Sequence, residues 1–237
     1  MTFYRYLSAR YALEALQSGE WKIGRLSKLN DIFDCQPQFI NHPRGTEGLD
    51  EKYLENLNET LGLLCYCAVD NDPTVWGHYG DQHRGIALGF QFDENEKCFP
   101  HRVSYSSDRP ILDLSKVGTA PEDRDHETAQ IKLIEQGFIT KHTSWTYEQE
   151  YRDFVPLNAC RMRGEHYFVG VLWDRLCMVV LGAHCPVSMG DIERIIHQRD
   201  GAEFAKENGQ IYPFPEIRKC KVSRASYKLT FEMHPRK

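Results

Sequence analysis

Glu148, Glu150 and Arg152 stand at alternate positions in KHTSWTYEQEYRDF, residues 141–154. Read as an extended segment, a period of two puts these three on one face and Trp145, Tyr147, Gln149 and Tyr151 on the other. Two carboxylates this close on one strand face repel each other unless cations or a ligand lie beside them, and Arg152 is one such cation. Two readings follow. The face is an exposed, ion-paired one, or the two acids line a site and act on a ligand there.

A second stretch, TVWGHYGDQHRGIALGFQFD at residues 74–93, crowds hydrogen-bonding aromatics ahead of an apolar strand. A helix over Thr74 to Gln82 lines up Trp76, Tyr79 and Gly80 at three- and four-residue spacing, with His83 continuing the row and His78 and Asp81 facing elsewhere. Gly85 would turn the backbone sharply into the strand through a positive φ. Trp76 and Tyr79 either anchor this helix to a sheet or, given the polar groups around them, border a pocket.

In RLSKLNDIFD, residues 25–34, Asn30 and Asp31 favour a turn that Ile32 and Phe33 would plug into a core. Asn30, Asp31 and Asp34 are suited to bracing that loop through local backbone bonds, or to touching a ligand. The eight cysteines include no C-x-x-C pair. Cys65 and Cys67, with His78 and His83, are a conceivable zinc set and the basis of a metal-dependent hydrolase reading. Reduced thiols filling a core are the plainer account.

These residues need elements to hold them. Phe3 to Tyr6 reads as a strand, and Ser8-Ala9-Arg10 opens a helix with Tyr11, Ala12, Leu13 and Leu16 on one face, closed by Gly19. Trp21 to Leu26 is a strand, Leu49 to Leu61 an acidic helix with a thin stripe of Tyr53, Leu54 and Leu57, and Leu63 to Val69 a strong strand. Asp72-Pro73 suits a helix start. Gly85 to Phe92 and Val103 to Tyr105 are strands, and Glu122 to Phe138 a charged helix. Strands follow at Glu150 to Val155, Tyr167 to Leu172 and Cys177 to Leu181; Ser188 then caps a helix to His197, and two strands near 218–223 and 226–232 finish the chain.

Strands outnumber helices and mostly lack βαβ spacing, which gives α+β: one mixed, mainly antiparallel sheet with peripheral helices, a single domain over 1–237. That length, at 41% hydrophobic and 27% charged residues, suits a globular domain with a substantial core. The net charge of −5 argues against a wholesale basic coat for nucleic acid while leaving room for a local basic patch. No apolar run approaches the roughly 20 residues of a membrane helix. The start MTFYRYLSAR lacks the apolar core of a signal peptide, so the expected location is the cytoplasm, with no membrane partner.

The order Y-R-Y, L-N-D-x-F-[DE], W-x-H-Y-x5-G-I-x-L-G-F, W-x-Y-E-x-E-Y-R and V-x-L-G, running from Tyr4 to Gly182, resembles the bacterial domain-of-unknown-function family 2971. Ile32 stands where that family usually has proline, and Asp34 where it usually has glutamate. The family implies no activity. A weaker resemblance, in order of parts alone, is to ADP-ribosyltransferase folds: a strand bearing Y-R, a helix, a strand with serine, and a late E-x-E strand. It implies an ADP-ribosyltransferase-like fold that consumes NAD as co-substrate, as a transferase toward an acceptor macromolecule or as a glycohydrolase.

On that resemblance Arg5 lies near the nicotinamide ribose and phosphates, Tyr79 or Trp76 stacks on nicotinamide, and Glu150 is the catalytic acid. Glu148 orients an acceptor or a water. Asn30, His78 and Arg152 complete the cofactor-binding set. Breaking the nicotinamide–ribose bond passes through an oxocarbenium-like state, which a carboxylate beside the ribose stabilises. The Ser-Thr-Ser-like middle element of those folds is absent, with Ser27 its nearest stand-in. The alternative is a non-catalytic module that binds a nucleotide or a partner protein and uses Glu150 and Arg152 structurally.

Overall fold

The computed structural model describes residues 1–41, 49–96, 98–113, 137–200 and 214–235. The chain divides into two compact units: Met1–Lys22, Tyr66–Phe99 and Arg161–Lys237 form the first, and Ile23–Cys65 with Pro100–Cys160 the second. Strand Leu61–Cys67 runs from the second into the first. The strands are mostly antiparallel with a few parallel pairs and few helices, an α+β arrangement. Among the described residues no helix is long and apolar enough to cross a membrane.

In the first unit, strands Leu229–Met233, Glu216–Val222, Leu176–Leu181, Ile86–Gln91 and Thr2–Leu7 lie side by side in that order. Only Leu176–Leu181 and Glu216–Val222 run parallel, and helix Met189–Asp200 falls between them in the chain, as a parallel crossover requires. Ser188 caps that helix with Asp191 closing the box: the Asp191 N–H donates to Ser188 Oγ at 3.1 Å, and the Ser188 N–H to the Asp191 carboxylate at 3.3 Å. Helix Ala9–Ser18 begins where Ser8 Oγ accepts from the Tyr11 N–H and ends at Gly19, left-handed with φ 74°. It buries Ala12, Ala15 and Leu16, whereas Tyr11 points outward.

Asp72 caps helix Pro73–His78 through the Thr74 and Val75 amides, and proline in the first turn forfeits nothing. The helix stops before Gln82, because Asp81, Gln82 and His83 all adopt left-handed φ of 50°, 53° and 67°. The expected Trp76–Tyr79–His83 row is therefore broken. Gly85 has no positive φ; a Cβ there would sit 2.2 Å from the Leu7 carbonyl oxygen, so close backbone approach demands the glycine.

The second unit carries short strands: Gly24–Arg25 pairs with Leu61–Cys67, Ile111–Asp113 with Gln38–Ile40, Thr140–His142 with Ser104–Ser106, and Glu150–Pro156 with His101–Arg102. Its core gathers Leu26, Cys35, Leu57, Leu63 and Phe138, with Tyr53 and Leu54 of helix Leu49–Thr60 packed against them. The strand expected over Trp21 to Leu26 is two strands, Glu20–Lys22 and Gly24–Arg25, one in each unit. The helix expected over Glu122 to Phe138 lies, up to residue 136, outside the described residues.

Candidate functional site

The E-x-E segment is not one extended face. Thr143–Glu148 forms a 3-10 helix, Gln149 takes a left-handed φ of 45°, and the strand starts only at Glu150. His142 caps the helix by accepting the Ser144 amide on Nδ1. Both carboxylates nevertheless converge on Lys141 Nζ, Glu148 at 2.6 Å and Glu150 at 3.0 Å. Neither faces solvent: Glu148 is 2% exposed, Glu150 3% and Arg152 0%.

Arg152 organises the cluster. Its Nε donates to Glu150 Oε1 at 2.8 Å and Nη2 to Glu150 Oε2 at 2.9 Å. The other edge of the guanidinium grips Asp34, Nη1 to Oδ1 at 2.8 Å and Nη2 to Oδ2 at 2.7 Å. Nη1 also donates to the Phe138 carbonyl at 2.6 Å. A guanidinium has five N–H donors in a fixed fork, and these contacts take up all of them. Cys35 Sγ lies 3.4 Å from Nη1, and burial pushes that thiol well above the ordinary cysteine range.

Lys141 supplies the second cation, 3.6 Å from Asp34 and 4.8 Å from the centre of the Trp145 ring. Burial alone would lower its pKa, but Glu150, Glu148 and Asp34 outweigh that and hold it above the usual lysine value. Burial likewise works to raise the pKa of Glu150, yet Arg152 and Lys141 prevail and bring it down to about 2. Tyr105, on the strand beside Thr140–His142, accepts the Glu150 amide at 2.8 Å, and burial raises its phenol to about 12. It acts there as a neutral acceptor.

Lys141 is the member the sequence reading missed; Asp34, expected either to brace its own loop or to touch a ligand, instead meets the Arg152 guanidinium. Asp34 turns inward because the Asp31 carboxylate accepts the Phe33 amide at 3.0 Å and the Asp31 carbonyl the Asp34 amide at 3.1 Å. That turn inverts the expected orientation: Ile32 and Phe33 are 80% and 59% exposed, and Asp34 and Cys35 are buried instead. The Arg109 guanidinium lies 4.9 Å over the Phe33 ring. The signal for Lys141 was the pair of acids itself, which required a further cation nearby.

The remaining candidates lie elsewhere. Asn30 is exposed in the second unit. Arg5, in the first, donates from Nη2 to the Lys22 carbonyl at 2.9 Å and lies 5.0 Å over the Trp21 ring. Trp76 is fully buried, its Nε1 donating to the Asp70 carbonyl at 2.7 Å and its ring edge-on to Tyr6 at 4.9 Å. It anchors the helix to the sheet core. His78 is exposed and Tyr79 half-buried, with ring centres 6.2 Å apart. Among the described residues no group of three or more His, Cys, Asp and Glu side chains is placed as metal ligands would be, so Cys65, Cys67, His78 and His83 give the hydrolase reading no support.

Residues 75–152, from Val75 beside the buried tryptophan to Arg152, match the family model DUF2971, described as a protein of unknown function. Over this stretch, about a third of its length, the chain is similar to the DUF2971 family. The DUF2971 match takes in both tryptophan-centred motifs and four of the five charged cluster residues; Asp34 lies before it. Comparison with curated proteins and with solved structures finds no match.

Proposed function

We propose that the chain is a non-catalytic module that binds a nucleotide or a partner protein, with Glu148, Glu150 and Arg152 serving as an internal brace of the second unit. One observation carries this reading: Arg152 has every donor engaged within the protein, and both Glu150 oxygens are held by Arg152 and Lys141. A carboxylate that stabilises an oxocarbenium ion must turn an oxygen toward the ribose. An arginine that grips a phosphate needs free donors. Neither condition is met by a cluster this enclosed. Calorimetric titration with NAD, together with an assay for released nicotinamide, tests it. Saturable binding without turnover supports a nucleotide-binding module, no binding leaves a partner protein as the ligand, and turnover overturns the proposal.

A second reading keeps the ADP-ribosyltransferase-like enzyme, with NAD as co-substrate and an acceptor macromolecule or water as the second substrate. What favours it is the convergence of Glu148 and Glu150 on a single ammonium next to the Trp145 ring. Catalysis would then require Lys141 to release Glu150 when NAD binds. Nicotinamide release that depends on Glu150 distinguishes this reading from the first.

A further inference from the structure

The decapeptide KCKVSRASYK, residues 219–228, holds Lys219, Lys221, Arg224 and Lys228 and no carboxylate, in a chain whose net charge is −5. It covers the end of strand Glu216–Val222 and the turn into strand Leu229–Met233, in the first unit. The turn is stitched. Ser223 Oγ accepts the amides of Ala225 and Ser226, both at 3.2 Å, and the Ser223 amide donates to the Lys228 carbonyl at 3.2 Å. Below it Val222 pairs with Leu229.

On this fixed turn Tyr227 is 101% exposed and Val222 67%. Arg224 and Lys228 are exposed and make no ion pair among the described residues, while Lys221 makes a surface pair with Glu232 at 2.8 Å. An ordered turn that holds an aromatic ring wholly in water, one residue from one cation and three from another, offers two things together: a π-face and positive charge. Bases stack on such faces whatever their identity, and cations beside them neutralise the connecting phosphates. A lipid surface fits less well, because one tyrosine and one valine provide little apolar area to insert.

We infer that the Val222–Leu229 turn is a docking surface for single-stranded nucleic acid. Tyr227 stacks on a base, and Lys221, Arg224 and Lys228 contact the backbone phosphates. The surface goes beyond the binding-module proposal, since none of its residues belongs to the Arg152 cluster and the two stand or fall separately.

The test is fluorescence anisotropy of a labelled short oligothymidylate with the full-length protein, from about 50 to 200 mM salt. Three contacted phosphates give a slope of log affinity on log salt of about −2, and Arg224→Ala with Lys228→Ala brings it to about −0.7. Tyr227→Ala weakens binding roughly ten-fold or more at an unchanged slope, and Tyr227→Phe restores it. All variants keep the parental melting temperature, since the substituted side chains are exposed. The inference is overturned if the parent fails to bind at the lowest salt, if the variants bind like the parent, or if vesicles of phosphatidylserine and phosphatidylcholine capture the protein while the oligonucleotide does not.

Discussion

Glu150 and Arg152, two residues apart on one strand, form a two-point ion pair, Nε to Oε1 at 2.8 Å and Nη2 to Oε2 at 2.9 Å. Neighbours at this spacing share a strand face, so the backbone itself brings the two side chains together. The opposite edge of the same guanidinium holds Asp34, which is 118 positions away in the chain. One arginine thus fastens a turn near the start of the second unit to a strand near its end.

Arg152→Ala should therefore destabilise the protein by about 3–5 kcal/mol, because it leaves Glu150 and Asp34 buried without their cation. Arg152→Lys should rescue little of this loss. An ammonium cannot reproduce a fork that serves two carboxylates at once. Urea unfolding of the parent and both variants measures it, and near-parental stability in the lysine variant would contradict the two-sided fork.

Lys141→Met removes the cation on which Glu148 and Glu150 meet. The two acids then repel each other at neutral pH, and protonation relieves them in acid. The expected loss is accordingly larger at pH 7 than at about pH 4, near the ordinary carboxyl range. Unfolding curves at both values check it; an equal loss would mean that Lys141 contributes packing alone.

Acid stability has a definite sign. The folded pKa of Glu150 is lowered to about 2, below the ordinary glutamate value of about 4.3. Its contribution is complete above the unfolded value and is lost as pH falls through the window between the two. Lys141, held above its ordinary value, contributes below the unfolded lysine pKa and loses that contribution as pH rises past it. Melting temperature against pH should fall at both ends, and Glu150→Gln should flatten the acid limb.

Gly85→Ala places a Cβ 2.2 Å from the Leu7 carbonyl oxygen and 2.8 Å from that of Gly80, both backbone atoms that cannot swing aside. The strands must shift, at a cost of about 1–3 kcal/mol. A melting temperature equal to the parent's would show that the backbone there is looser than the structure has it.

The regular elements were legible because their ends are written locally. Ser8 and Gly19 bound one helix, Asp72-Pro73 starts another, and Ser188 with Asp191 caps a third. The site was legible only in outline. Glu148, Glu150 and Arg152 did prove to be neighbours, but the 3-10 helix that ends at Gln149 rests on a left-handed conformation that glutamine does not announce. Asp34 entered through a turn whose two apolar residues face water, the reverse of what their hydrophobicity suggested. Its partnership with Arg152 links residues too far apart in sequence for any local pattern to register.

Nicotinamide release from NAD by the purified parent and by Glu150→Gln, measured beside their melting temperatures, tests the structural role of Glu150 most directly. A braced Glu150 predicts no release from either protein and a clearly lower melting temperature for the variant, since glutamine leaves Arg152 and Lys141 short of an anion in a buried site. A parent that releases nicotinamide, paired with a stably folded variant slower by about two to three orders of magnitude, would contradict it and make Glu150 the catalytic acid.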